Sequence, residues 1–100
     1  MGILLMSTLI VANGRDLIDA ALEVLRGDGF EAEGTTSYDN AHARLARGGI
    51  TALVIGGGVA REARDAFFKS AAERSVTVIE GAMAGRDVAS YVREVIEPRL

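Results

Sequence analysis

One hundred residues carry 49% hydrophobic and 25% charged side chains, with a formal net charge of -3. That is the composition of one globular domain, long enough to bury a core without staples. The chain has no cysteine, which excludes disulfides, thiolate metal sites and cysteine nucleophiles; the acidic balance argues against a nucleic-acid partner, which selects a basic face.

The chain is apolar from Ile3 to Ala12, with Ser7 and Thr8 inside the run. The run falls short of the about 20 residues of a transmembrane helix. It also lacks the basic region and cleavage site of a signal peptide. A cytoplasmic protein with no membrane partner is expected. Leu9-Ile10-Val11-Ala12 reads as a buried strand, its start lying anywhere from Ile3 onward. Asn13 is placed to cap the next helix, with Asp16 at the positive end of its dipole. That helix is predicted over about 15–26, with Leu17, Ile18, Ala21, Leu22 and Leu25 on an inward stripe. Gly27-Asp28-Gly29 breaks it. Phe30 to Thr35 alternates apolar and polar residues, as an edge strand does. Ser37 caps a second helix to about Arg47, with Tyr38, Ala41 and Leu45 inward, and Gly48-Gly49 stops it.

Thr51-Ala52-Leu53-Val54-Ile55 then runs into Gly56-Gly57-Gly58. A short apolar run bounded by glycine reads as a strand buried on both faces. The following residues, 59–74, carry helical spacing, with Ala63, Phe67, Ser70 and Ala71 on one face and Phe68 off it. Val76 to Ile79 is a fourth strand, ended by Glu80-Gly81. A last helix over about 86–97 turns Val88, Tyr91, Val92, Val95 and Ile96 inward, and Pro98 falls after its end. The order βαβαβαβα implies a three-layer α/β/α domain spanning residues 1–100. Its four-stranded parallel sheet has right-handed crossovers and the order 2-1-3-4, which is flavodoxin-like or Rossmann-like.

In such a sheet ligands sit outside the carboxyl ends of the strands. The expected site is therefore the pair of turns after the first and third strands: Asn13, Gly14 and Arg15, with Gly56, Gly57, Gly58 and Arg61. No G-x-G-x-x-G or G-x-x-x-x-G-K-[ST] pattern is present, so neither a standard dinucleotide site nor a P-loop is expected. The three glycines have two readings. They expose backbone N–H groups to a phosphate, or they only permit positive φ and tight packing. His42 reads as a solvated surface residue. Asp16 and Asp19 read as a dipole-favouring residue and a solvated face, not as metal ligands. An enzyme needs positioned acid–base or nucleophilic groups, and the pocket offers Asn13, Arg15, Thr36, Ser37 and Arg61. No catalysis, cofactor or metal is expected.

The pattern Leu9-Ile10-Val11 with a polar turn, then Leu25 and Gly29-Phe30-Glu31-Ala32, resembles a response-regulator receiver domain. Ser37 with Ala41 and Leu45 is similar to the receiver's second helix, and Ala52-Leu53-Val54-Ile55 to its third strand. The resemblance covers about residues 9–79 and implies a degenerate, shortened receiver. The receiver's magnesium-binding acidic pair falls on Ala12 and Asn13. Its phosphate-accepting aspartate falls on Gly57, and its fifth strand and lysine have no counterpart. Phosphoryl transfer without a carboxylate acceptor or metal has no mechanism. Two functions follow as expectations: a pseudo-receiver that signals or assembles by docking on other proteins, or a binder of phosphate or nucleotide at the glycine turns.

Without a fifth strand, Val76 and Val78 lie on an apolar sheet edge. Phe68 off its stripe and the Ile3-Leu4-Leu5 start add apolar surface. Together these imply an interface, most simply a homodimer. The rival arrangement is a last helix folded over the edge, leaving a monomer.

Overall fold

The computed structural model describes residues 7–80, 83 and 85–100. The elements are β1 (Ser7–Val11), α1 (Arg15–Gly27), β2 (Ala32–Thr35), α2 (Tyr38–Ala46), β3 (Ile50–Ile55), α3 (Arg61–Glu73), β4 (Thr77–Glu80) and α4 (Val88–Tyr91). A π turn over Val92–Ile96 and a 3₁₀ turn over Glu97–Arg99 follow α4. The four strands form one parallel sheet in the order β2-β1-β3-β4, as expected. Leu9 pairs with Leu53 and Ile10 with Val54, while Leu53 pairs with Val78.

Every residue of β1 is buried, because helices cover both faces of the sheet. The alternation of side chains along a strand sorts the core into two layers. Ile10, Val54 and Ile79 point to the face covered by α1, α4 and the π turn, where they meet Ile18, Leu22, Leu25, Val92 and Ile96. Leu9, Val11, Leu53 and Ile55 point to the other face and meet Ala41, Leu45, Phe67 and Ala71 from α2 and α3. The last helix thus packs on the α1 face of the sheet.

Several boundaries differ from the sequence reading, each for a hydrogen-bonding reason. The Phe30 N–H donates to the Leu25 carbonyl at 2.9 Å while Gly29 takes φ +94°. This is the left-handed closure of a helix end, so Phe30 belongs to the end of α1 and β2 begins at Ala32. The same closure ends α3. The Val76 N–H donates to Ala71 at 2.9 Å, with Ser75 at φ 57°, and β4 begins at Thr77. Ser37 caps α2 as expected, its hydroxyl accepting from the Asn40 N–H at 3.1 Å. Asn13 does not cap α1; Gly14 holds that position without a side-chain bond, because the Asn13 amide is engaged elsewhere.

The single expected last helix is instead wound three ways. Asp87 caps α4, accepting from the Ser90 N–H at 2.7 Å. The wider π winding brings Tyr91 and Ile96 to the same side. Tyr91, Val92 and Ile96 are buried, whereas Val88 and Val95 are half-buried. Pro98 lies inside the 3₁₀ turn, at an opening position where its missing N–H is not needed.

Candidate functional site

Strand β3 delivers the chain to Gly56, where it passes so close to β1 that a Cβ would lie 2.6 Å from the Ala12 Cβ. The Gly56 N–H donates to Val11 O at 2.8 Å. None of Gly56, Gly57 and Gly58 adopts positive φ, so glycine is required at the first of them by space and not by a left-handed backbone. A Cβ on Gly57 would meet nothing within 4 Å.

Two side chains pin this turn. Arg64, in the first turn of α3, donates from Nε to Val59 O at 3.0 Å and from Nη2 to Gly56 O at 2.7 Å. Its remaining terminal nitrogen pairs with the Glu80 carboxylate at the end of β4. Asn13 donates from its amide to Gly58 O and accepts from the Tyr38 hydroxyl at 2.8 Å. The structure therefore brings Asn13 to the third glycine. Arg15 is instead tied along its own helix to Asp19 at 3.3 Å, and Arg61 is exposed at the first position of α3.

On the α1 side of the turn lies a cleft of about 320 Å³. Its floor is Ile10, Ala12 and Val54 at the carboxyl ends of β1 and β3, and one wall is Leu17, Ile18 and Ala21 from α1. The three glycines form its rim, and Met83, Val88, Tyr91 and Ile96 close the far side. The cleft stands at the switch point of the sheet, where the chain winds one way from β1 to β2 and the other way to β3. Leu17, expected in the core, is 52% exposed because its part of the α1 stripe faces this cleft and not packed side chains. Among the described lining residues the sole polar side chain is Tyr91, whose phenol is pushed above its ordinary value by burial.

Two clusters escaped sequence reasoning. His42 is half-buried, not solvated. Its ring stacks on Phe67 with centroids 4.3 Å apart, and Nδ1 lies 3.3 Å from the Ser70 hydroxyl. Both partners come from α3, which spacing within α2 could not disclose. At the other end of the molecule Arg93 donates two bonds to Asp28, at 2.9 and 3.0 Å. That fork holds the Asp28 carboxyl down at about 2. Burial, and then contact with Asp28, push the neighbouring Glu97 above its ordinary value. Among the described residues no group of three or more His, Cys, Asp or Glu could hold a metal ion.

Of the residues expected at an interface, Val76 is buried and Val78 half-buried against the α3 layer, because Val76 closes the end of α3. Phe68 is 40% exposed. Ile3 and Leu5 lie outside the described residues. Strand β4 pairs with β3 alone among the described strands, and no described helix is long and apolar enough to cross a membrane.

These features define a Rossmann-like, three-layer α/β domain with a cleft at the carboxyl edge of its sheet. The fold is shared with a designed Rossmann 2x3 protein solved by solution NMR, with a TM-score of 0.65 and 12% identity over 94% of this chain and 73% of that one. A second designed Rossmann-fold protein superposes with a TM-score of 0.57 and 17% identity over 89% of this chain and 94% of that one. No family model and no curated protein matches the chain.

Proposed function

We propose that this chain is a non-catalytic binding module that holds a small molecule in the cleft between α1 and α4. The observation that carries this reading is the cleft itself. Ligand sites are concave and mostly apolar, occur at the switch points of α/β sheets and start at about 300 Å³. Its rim is prepared in advance, since Arg64 and Asn13 fix the carbonyls of the glycine turn and leave it little freedom to lose on binding. The receiver resemblance fits the same reading. Ala12, Asn13 and Gly57 stand where a receiver has its carboxylates, which removes the transfer chemistry and keeps the scaffold.

Thermal shift against a panel of neutral and phosphorylated metabolites, paired with native mass spectrometry of the purified chain, tests this. A ligand at a hundred times its Kd stabilises by about 2.7 kcal/mol, which in a domain of this size raises the midpoint by roughly 10–20 °C. No shift with any compound and no retained mass would defeat the reading.

A second reading, docking of another copy or another protein, is favoured by a separate observation. Phe68 is 40% exposed, and β4 is at the edge of the described sheet. Edge strands and exposed apolar side chains are the usual materials of a homodimer interface.

A further inference from the structure

Accepting that the cleft is the binding site, we infer that its ligand is a neutral, carbon-rich molecule of one or two rings and not a phosphate or nucleotide. The first argument is volume. An apolar cavity of about 150 Å³ takes up benzene, and the cleft measures about 320 Å³, which suits roughly ten to fourteen non-hydrogen atoms.

The second argument is charge. No charged side chain lines the cleft among the described residues, so an ionic group placed there would lose its hydration without a partner. The arginines near the two turns do not supply that partner: Arg61, the nearest to the glycines, is exposed at the first position of α3 and does not line the cleft. Arg64 is occupied by Gly56 O, Val59 O and Glu80. Arg15 is paired with Asp19.

The third argument is the state of the walls. Ala12, Ala21 and Gly57 are small where larger residues would fill the space. Leu17 keeps half its surface in water at the mouth, 52% exposed, and an apolar ligand would cover it. Removing that apolar surface from water favours binding. Orientation is left to the Tyr91 side and to the backbone of the glycine rim. The same walls would accept an apolar side chain from another protein, and the experiment separates that occupant.

The test titrates the full chain with 2-naphthol, followed by the probe's fluorescence, with indole as competitor and AMP and inorganic phosphate as ionic comparisons. Two variants accompany it: Gly57→Leu, which fills open space at the rim, and Leu17→Glu, which puts a carboxylate at the mouth from an exposed position. Circular dichroism confirms that both fold; Leu17→Glu carries the test alone if Gly57→Leu does not. The expected result is saturable binding of one 2-naphthol per chain, displaced by indole and not by AMP or phosphate. Each folded variant should weaken it by roughly tenfold or more.

If AMP or phosphate binds at the cleft and 2-naphthol does not, the inference is overturned while the cleft remains the binding site. If neither class binds, or if binding ignores both variants, the inference and the reading beneath it fall together. Failure of the aromatic probes alongside cleft-blocked capture of a protein would assign the cleft to a partner's side chain and likewise overturn the inference.

Discussion

Two adjacent glycines should respond oppositely to the same added methyl group. In Gly56→Ala the new Cβ would stand 2.6 Å from the Ala12 Cβ and 3.3 Å from its Cα. Carbon atoms in contact prefer about 3.5–4.0 Å, so the ends of β1 and β3 must part by roughly 1 Å. They are not free to do so. The Gly56 N–H is bonded to Val11 O at 2.8 Å, and Arg64 holds the Gly56 carbonyl from the other side at 2.7 Å. Overpacking of this kind costs about 1–3 kcal/mol. For a domain of about 100 residues each kcal/mol lowers the midpoint by about 4–8 °C, giving a fall of roughly 4–24 °C.

Gly57→Ala meets nothing within 4 Å and needs no left-handed backbone, so it should be neutral or stabilise by up to about 1 kcal/mol through the unfolded chain. Thermal melts and urea titrations of both variants measure the contrast. Adding Ala12→Gly to Gly56→Ala removes the opposing methyl and should return part of the loss, less about 0.5–1 kcal/mol for a glycine at a strand end. Equal midpoints for the two single variants, or a double variant no better than Gly56→Ala, would refute the claim that β1 and β3 touch at this point.

The Asp28–Arg93–Glu97 cluster predicts a stability maximum in mild acid. Asp28, lowered from 3.8 to about 2, contributes stability that is present above pH 4 and is lost as pH falls toward 2. Glu97, raised above 4.5, contributes stability that is complete below that value and is lost as pH rises through its folded pKa. Thermal midpoints across pH should therefore decline above about pH 4.5, and Glu97→Gln should flatten that limb while keeping the acid one; an unaltered slope would count against the cluster. For assembly, light scattering after size exclusion should give about twice the chain's 10.5 kDa, and Phe68→Arg should halve it. A wild-type mass near 10.5 kDa would eliminate the dimer.

The architecture was legible because β1, β3 and β4 are apolar runs that lead into glycine, β2 lies in a segment that alternates apolar and polar residues, and each long helix carries a single apolar stripe. Those patterns report which way a side chain points, but not what it meets. Leu17 lies in phase with Ile18, Leu22 and Leu25, and only the shape of the opposite wall leaves it in solvent. The cleft could not be read for the same reason, since small residues from separate elements leave its space between them. The turn was placed correctly, yet the reason for its first glycine is a neighbour 44 positions earlier in the chain, Ala12. His42 and Ser70, and Asp28 and Arg93, are likewise pairs made by packing across the fold. The π turn has no signal in spacing, because Tyr91, Val92 and Ile96 fit an ordinary helix equally well.

Asn13 is a tether between distant parts of the chain, its partners lying 25 residues away at Tyr38 and 45 away at Gly58. The Tyr38 bond needs the first crossover and the Gly58 bond needs the second as well, and contacts of such long range are reached only after their loops are closed. The rim of the cleft is therefore absent from any partly folded chain that lacks α2 or β3. A chain cut short before Gly58 could form the first two strands and still have no third glycine for Asn13 to hold. The rim, and with it the cleft it borders, is complete only when the third strand and its glycine turn are in place.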